Sequence, residues 1–198
     1  MKSAVVYTIS LLLCIALLSV MPISGEEGIY DNVVRLHILA HSDSEEDQAL
    51  KLAVRDALLA TYGDALNCES EADAATRVQA LIPAIKTLAE DTLAAHGSSA
   101  PVTVSFTDEP YPERVYGDLH FPAGTYHSLR ILIGEGEGKN WWCVLFPPLC
   151  VGAATEETVM VEAEKEPPAG LTDSQWRLVS QSGEYEIRFR ILEMLFGE

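Results

Sequence analysis

Apolar side chains recur along this chain with two periods, and the changes between them sketch the elements. From Val33 to Ala40 aliphatic residues alternate with Arg35 and His37, the period of two expected of a strand with one polar face. The run stops at His41-Ser42-Asp43-Ser44, where Ser42 with Glu45 and Ser44 with Asp47 both have the spacing of a capping box that opens a helix. Leu50, Ala53, Val54, Ala57 and Leu58 then share one stripe. Asp47, Lys51 and Arg55 run down another face at i, i+4, so the helix is expected to show those charges to water and to fade near Tyr62-Gly63. A second helix is predicted from Ser70, with Asp73 three residues on and a stripe of Val78, Leu81, Ile82, Ile85, Leu88 and Ala89. Pro83 removes an amide donor and crowds the preceding turn, which predicts a kink or two helices meeting there, and Gly97 supplies the stop.

After Gly97 the period returns to two. Val102, Val104 and Phe106 alternate with Thr103, Ser105 and Thr107, and the segments around Pro110 to Glu113 and Phe121 to Gly124 read as turns linking short extended pieces. Leu129, Ile131 and Ile133 alternate again before Gly134-Glu135-Gly136-Glu137-Gly138, which reads as a flexible hairpin connection into Asn140 to Phe146. In that last run Trp141, Cys143 and Leu145 take one face and Trp142, Val144 and Phe146 the other. A strand apolar on both faces belongs inside a covered sheet or is completed by something else. Trp176 and Leu178 open a final piece in which Tyr185, Ile187, Phe189 and Ile191 alternate with Glu186, Arg188 and Arg190, a late strand that adds to the sheet or to a partner. The expected fold is α/β (α+β): a mixed β-sheet with two antiparallel helices packed on one face.

Composition then divides the chain. Met1-Lys2-Ser3 followed by the apolar run Ala4 to Met21 has the form of an export signal, with cleavage expected near Ser24 or Gly25. The run also approaches the ~20 residues that span a bilayer, so residues 1–25 read as a signal peptide or a signal anchor. Residues 26–151 make one main domain, the Glu- and Pro-rich stretch 152–170 a linker, and 171–198 a C-terminal strand that completes the domain. The formal charge of −17, from 13 basic against 30 acidic residues, excludes a nucleic-acid partner and an electrostatic hold on anionic lipid, leaving contact with the membrane to the N-terminal segment. Cys68, Cys143 and Cys150 remain after export. Cys143 and Cys150 are a candidate disulfide in an oxidising compartment, and three small buried thiols are an equal reading.

The chain offers no catalytic constellation. His37, His41 and Asp43 sit at a strand end, where spacing of four does not converge on a metal, so no metal and no cofactor is expected. The Gly-rich loop carries two glutamates and no lysine, the wrong charge for a phosphate. Ser42 and Ser44 are better spent as caps than as nucleophiles, and Cys143 has no cation nearby to activate it. The paired Trp141 and Trp142 are residues favoured as anchors at protein interfaces, although alternation must send one of them inward.

Two long strings carry a resemblance. The first is Val34-Arg35-Leu36-His37-Ile38-Leu39-Ala40-His41-Ser42-Asp43-Ser44-Glu45-Glu46-Asp47-Gln48-Ala49-Leu50-Lys51-Leu52-Ala53-Val54-Arg55-Asp56. The second is Gly138-Lys139-Asn140-Trp141-Trp142-Cys143-Val144-Leu145-Phe146-Pro147-Pro148-Leu149-Cys150, joined by Tyr116-Gly117, by Phe121-Pro122-Ala123-Gly124-Thr125-Tyr126, and by the last strand around Arg188 to Glu193. Together they resemble the stage II sporulation protein R family, with His41 standing where that pattern leads one to expect asparagine. The resemblance implies a protein made in the forespore and exported to the space between the septal membranes. There it would activate a membrane-embedded aspartic protease that processes the sigma-E precursor, without being an enzyme itself. The face expected to meet that protease combines Arg35 and His37, the polar helix face of Ser42, Asp43, Asp47, Gln48, Lys51, Arg55 and Asp56, and the block Asn140, Trp141 and Trp142. The rival readings are an exported cell-wall-acting hydrolase and a glycan-binding module that would use the tryptophans.

Overall fold

The computed structural model describes residues 6–11, 14–15, 28–116, 119–149 and 167–180. Residues 6–11 are helical and exposed, and no helix among the described residues is long and apolar enough to cross a membrane. The candidate cleavage positions Ser24 and Gly25, most of the acidic stretch and the late strand Tyr185 to Ile191 lie outside the described residues.

After a 3-10 turn at Tyr30–Asn32 come β1 (Val34–Leu39), α1 (Glu45–Tyr62), α2 (Glu71–Ala95), β2 (Val102–Tyr111), β3 (Arg114–Tyr116), β4 (Leu119–Phe121), β5 (Gly124–Ile133), β6 (Asn140–Phe146) and α3 (Asp173–Ser180). Four strands form a mixed sheet in the order β2-β5-β1-β6, with β1 parallel to β5 and antiparallel to β6; β3 and β4 make a separate two-stranded pair. The fold is therefore α/β with a mixed sheet, as the periodicities led one to expect.

Both helices start on serine. Ser44 accepts from the Asp47 amide at 3.1 Å, and Ser70 from the Asp73 amide at 3.2 Å, each satisfying one orphan donor of a first turn. Of the two outcomes expected at Pro83, two helices meeting there is ruled out, because α2 runs on through it from Glu71 to Ala95. The lost amide costs one backbone bond, but Val78, Ile85, Ala89 and Leu93 on the same helix are all fully buried, and that burial outweighs it. Its end is a Schellman arrangement: the Ser98 amide reaches Leu93 O at 2.9 Å, the Gly97 amide reaches Ala94 O at 3.0 Å, and Gly97 takes a φ of 82°.

β1 divides the core. Val34, Leu36 and Ile38 join Leu129, Ile131 and Ile133 of β5 and the apolar stripes of α1 and α2 on one face. On the other face Val33, Tyr111, Tyr126 and Val144 pack with Phe121 of β4 and with Leu171, Trp176 and Val179 around α3. The sheet is thus covered on both sides, and Trp176 and Leu178 begin a helix rather than the strand expected from them, since Asp173 to Ser180 puts Trp176 and Val179 on one buried side. Within β6, Trp141 and Trp142 do point to opposite faces, but Phe146 joins the core of Leu145, because the register shifts between Val34 and Arg35.

Gly134 to Gly138 is not a hairpin. β6 pairs with β1, not β5, so the loop crosses over the end of β1, where the Glu137 and Gly138 amides bond to His41 O at 3.2 Å and Ala40 O at 3.1 Å. Gly134 and Gly136 take positive φ values of 58° and 67° in that crossing, a conformation glycine adopts at least cost.

Candidate functional site

The crossing loop brings the two motif strings together. The Lys139 amide donates to Asp43 Oδ1 at 2.7 Å, and the Lys51 ammonium donates to Lys139 O at 3.0 Å and to Gln48 Oε1 at 2.6 Å. Gln48 Nε2 donates in turn to Ser42 O at 2.8 Å, and the Ser42 hydroxyl bonds to the Asp47 carboxylate. That bond, the largest influence on the group, holds the Asp47 carboxyl below the usual carboxylate range. Gly138 lies so close to Ser42 O that a Cβ there would collide with it. His41 fits the same pattern: its ring rests on Gly134, and its Nδ1 accepts from the Glu135 amide at 3.1 Å, a task an asparagine oxygen could also perform. The outcome is a rim of exposed side chains, Asp43, Glu45, Glu46, Lys139 and Asn140, fixed by hydrogen bonds beneath it.

Several residues expected on a polar face are inside instead. Lys51 is 4% and Arg55 2% exposed, so they do not line an open charged helix face. Lys51 is drawn in by the Lys139 carbonyl. The Arg55 guanidinium lies 4.3 Å from the centre of the Trp141 ring, with Nη2 2.7 Å from the Asp56 carboxylate. Arg35 is wholly buried on the opposite face, and four rings surround its guanidinium: Tyr111 at 4.5 Å, Tyr126 at 5.0 Å, Phe121 at 5.2 Å and Tyr116 at 5.6 Å. Its one hydrogen bond among the described residues runs from Nη2 to the Tyr116 hydroxyl at 2.8 Å. Burial pushes the Tyr111 hydroxyl well above the usual phenol range and raises that of Tyr116, although the Arg35 charge pulls the other way. Arg35 thereby clamps the β3-β4 pair onto the sheet.

His37 is 4% exposed and also faces inward. Its ring stacks on Trp142 with centroids 3.6 Å apart, its Nδ1 meets Glu109 Oε1 at 2.8 Å, and its Nε2 meets Asn140 Oδ1 at 3.0 Å. Burial alone would raise the Glu109 carboxyl, but the His37 and Ser128 hydrogen bonds and the charges of His37 and Arg130 outweigh it and hold the group below its ordinary value. Both ring nitrogens of His37 are engaged, which leaves no lone pair aimed at a substrate. Among the described residues no three His, Cys, Asp or Glu side chains are placed to hold a metal. Cys143 is disulfide-bonded, whereas Cys68 is a buried free thiol; Cys150 lies outside the described residues. Tyr111 and Glu109 belong to this machinery and escaped the sequence reading, while Tyr126 was met there only within the Phe121 to Tyr126 string, with no role of its own. A tyrosine on a strand carries no sign of which cation it will cover.

The fold and these contacts define a small two-faced α/β domain whose most distinctive strings interlock to shape an exposed rim. The chain belongs to the stage II sporulation protein R family, whose family model, described as Stage II sporulation protein R (spore_II_R), matches residues 30–156. It is 39% identical over 145 residues to Stage II sporulation protein R of Bacillus subtilis (strain 168). The match covers 69% of this chain and 64% of that relative, so the chain spans a little under two thirds of the relative's length. No solved structure matches the chain. A role in sporulation follows from the family.

Proposed function

We propose that this chain is an exported sporulation signal that activates a membrane-embedded aspartic protease, which in turn processes the sigma-E precursor. Residues 1–25 would take it out of the forespore, and it acts in the space between the septal membranes by presenting a shaped surface, transforming no substrate itself. The observation that carries the reading is the rim. Strings separated by more than 80 residues in sequence are tied by Lys139 to Asp43 and by Lys51 to Lys139, so the most idiosyncratic residues of the chain serve one exposed edge. A hydrogen-bonded loop pair is already ordered before it meets a partner, which lowers the entropic cost of docking. The role of the buried expected residues changes accordingly: Arg35, His37, Lys51 and Arg55 hold the surface in shape, while Asp43, Lys139 and Asn140 are offered to the protease. Co-expression with the protease and the sigma precursor in a non-sporulating cell tests this. Precursor cleavage that depends on this chain is the expected result, and cleavage that proceeds equally without it would overturn the proposal.

A further inference from the structure

Asn140 stands where the polar face of β1 meets the rim. It is exposed, yet its side-chain oxygen turns inward to a residue that is 4% exposed: His37 Nε2 lies 3.0 Å from Asn140 Oδ1. At the other nitrogen of the same ring, His37 Nδ1 lies 2.8 Å from Glu109 Oε1. A carboxylate and an amide oxygen only accept, and a neutral imidazole has one N–H to give. Both contacts are hydrogen bonds at once only when the ring is an imidazolium. The ring is not free to turn away from either oxygen, because it is stacked on Trp142 at 14° with centroids 3.6 Å apart. The charged and titratable groups around it are Glu109 and Tyr111 from β2, Arg130 beside it on β5, and Arg35 two residues away on β1, while Arg114 of β3 lies over the Trp142 ring.

With the Asn140 oxygen spent on His37, both hydrogens of Nδ2 are left for the outside, and Nδ2 makes no hydrogen bond among the described residues. The rim around it is acidic, with the exposed carboxylates of Asp43, Glu45 and Glu46 against the one ammonium of Lys139, on a chain of net charge −17. A carboxylate is repelled there, and a neutral oxygen is not. We propose that His37, as an imidazolium, is the latch that orients Asn140, so that the rim offers two amide donors to a neutral oxygen of the protein partner, a main-chain carbonyl. His37 is thus a positioning residue, and the latch has a pH sense. When the ring loses its Nε2 proton, Nε2 becomes an acceptor, the Asn140 amide turns to donate to it, and the rim then sets an oxygen against the partner's oxygen. Presentation is therefore strongest on the acid side of the His37 titration. The proposal rests on the reading that the rim docks on a protein partner.

Two measurements test it. Nitrogen NMR on the isotope-labelled full chain should find protons on both ring nitrogens of His37 at the acid end of a titration, loss from Nε2 and not from Nδ1 as pH rises, and an Asn140 side-chain amide shift that follows the same curve. An Nε2 without a proton throughout, or an Asn140 amide indifferent to the titration, would overturn the latch. In the co-expression system, Asn140→Asp keeps an oxygen for His37 but removes the outward donors. It should melt no lower than the parent and reduce precursor cleavage about tenfold, the worth of one hydrogen bond. Cleavage equal to the parent's would overturn the proposal. If the parent chain itself drives no cleavage, the fault lies with the activator reading, and the titration alone decides the latch.

Discussion

On the helix side of β1, Val34, Leu36 and Ile38 meet aliphatic residues of α1, α2 and β5; on the other side, Arg35 and His37 meet rings, a carboxylate and an amide. Both sides are equally dry, since Leu36 and Arg35 are each fully buried. The first is held by volume and by area removed from water, which are tolerant of shape. The second is held by a cation among ring faces and by paired hydrogen bonds, which are not. A strand that alternates apolar and charged residues is therefore not announcing a wet face when aromatic residues elsewhere can enclose the charge.

The largest effect that separates the two sides is expected at Arg35. Arg35→Ala should lower unfolding free energy by about 3 kcal/mol, similar to Leu36→Ala across the strand. The volume-keeping changes should diverge: Leu36→Met should cost less than about 1.5 kcal/mol, whereas Arg35→Met should still cost about 2 kcal/mol because the cation–π contacts go. Equal losses for the two methionine variants in urea denaturation would erase the distinction. Next comes Gly138→Ala, where the new methyl meets Ser42 O; an overpacking loss of about 2 kcal/mol is expected, read as a lower denaturation midpoint.

Glu109 gives the polar side a pH signature. Its folded pKa lies below the ordinary value of 4.5, so its contribution is present above about pH 4.5 and is lost as pH falls through the folded value. Glu109→Gln should cost about 1.5 kcal/mol at pH 7, and the gap between variant and parent should narrow on titration to pH 3. A gap independent of pH would remove the carboxylate from the account. The smallest loss belongs to the rim: Asp43→Ala removes the acceptor for the Lys139 amide at an exposed position and should cost about 1 kcal/mol by thermal melting.

Much of the framework was legible in the chain. The period-two runs gave β1, β2, β5 and β6, and Ser44 and Ser70 marked both long helices, because these signals depend on neighbours in sequence. What depended on distant partners was hidden. Lys51 and Arg55 looked exposed because helical spacing says which residues share a face, not that Lys139 and Trp141 will lie against it. The glycine loop looked like a hairpin because nothing local reveals that β1 enters the sheet between β5 and β6. For the site, Asp43 and Asn140 of the expected face do lie exposed, while the aromatic enclosure of Arg35 needed Tyr111, Tyr116, Phe121 and Tyr126 from four further strands. Charge reversal at Lys51 and Arg55 would accordingly probe folding rather than recognition.

Recognition is best tested where side chains face water. Sigma-precursor cleavage should be measured in the co-expression system with Lys139→Glu/Asn140→Ala on the rim and with Lys86→Glu on α2 as a reference, Lys86 being 49% exposed. With both variants folded, the account expects at least a tenfold loss of cleavage for the rim variant and none for the reference. Full cleavage with the rim variant would contradict it.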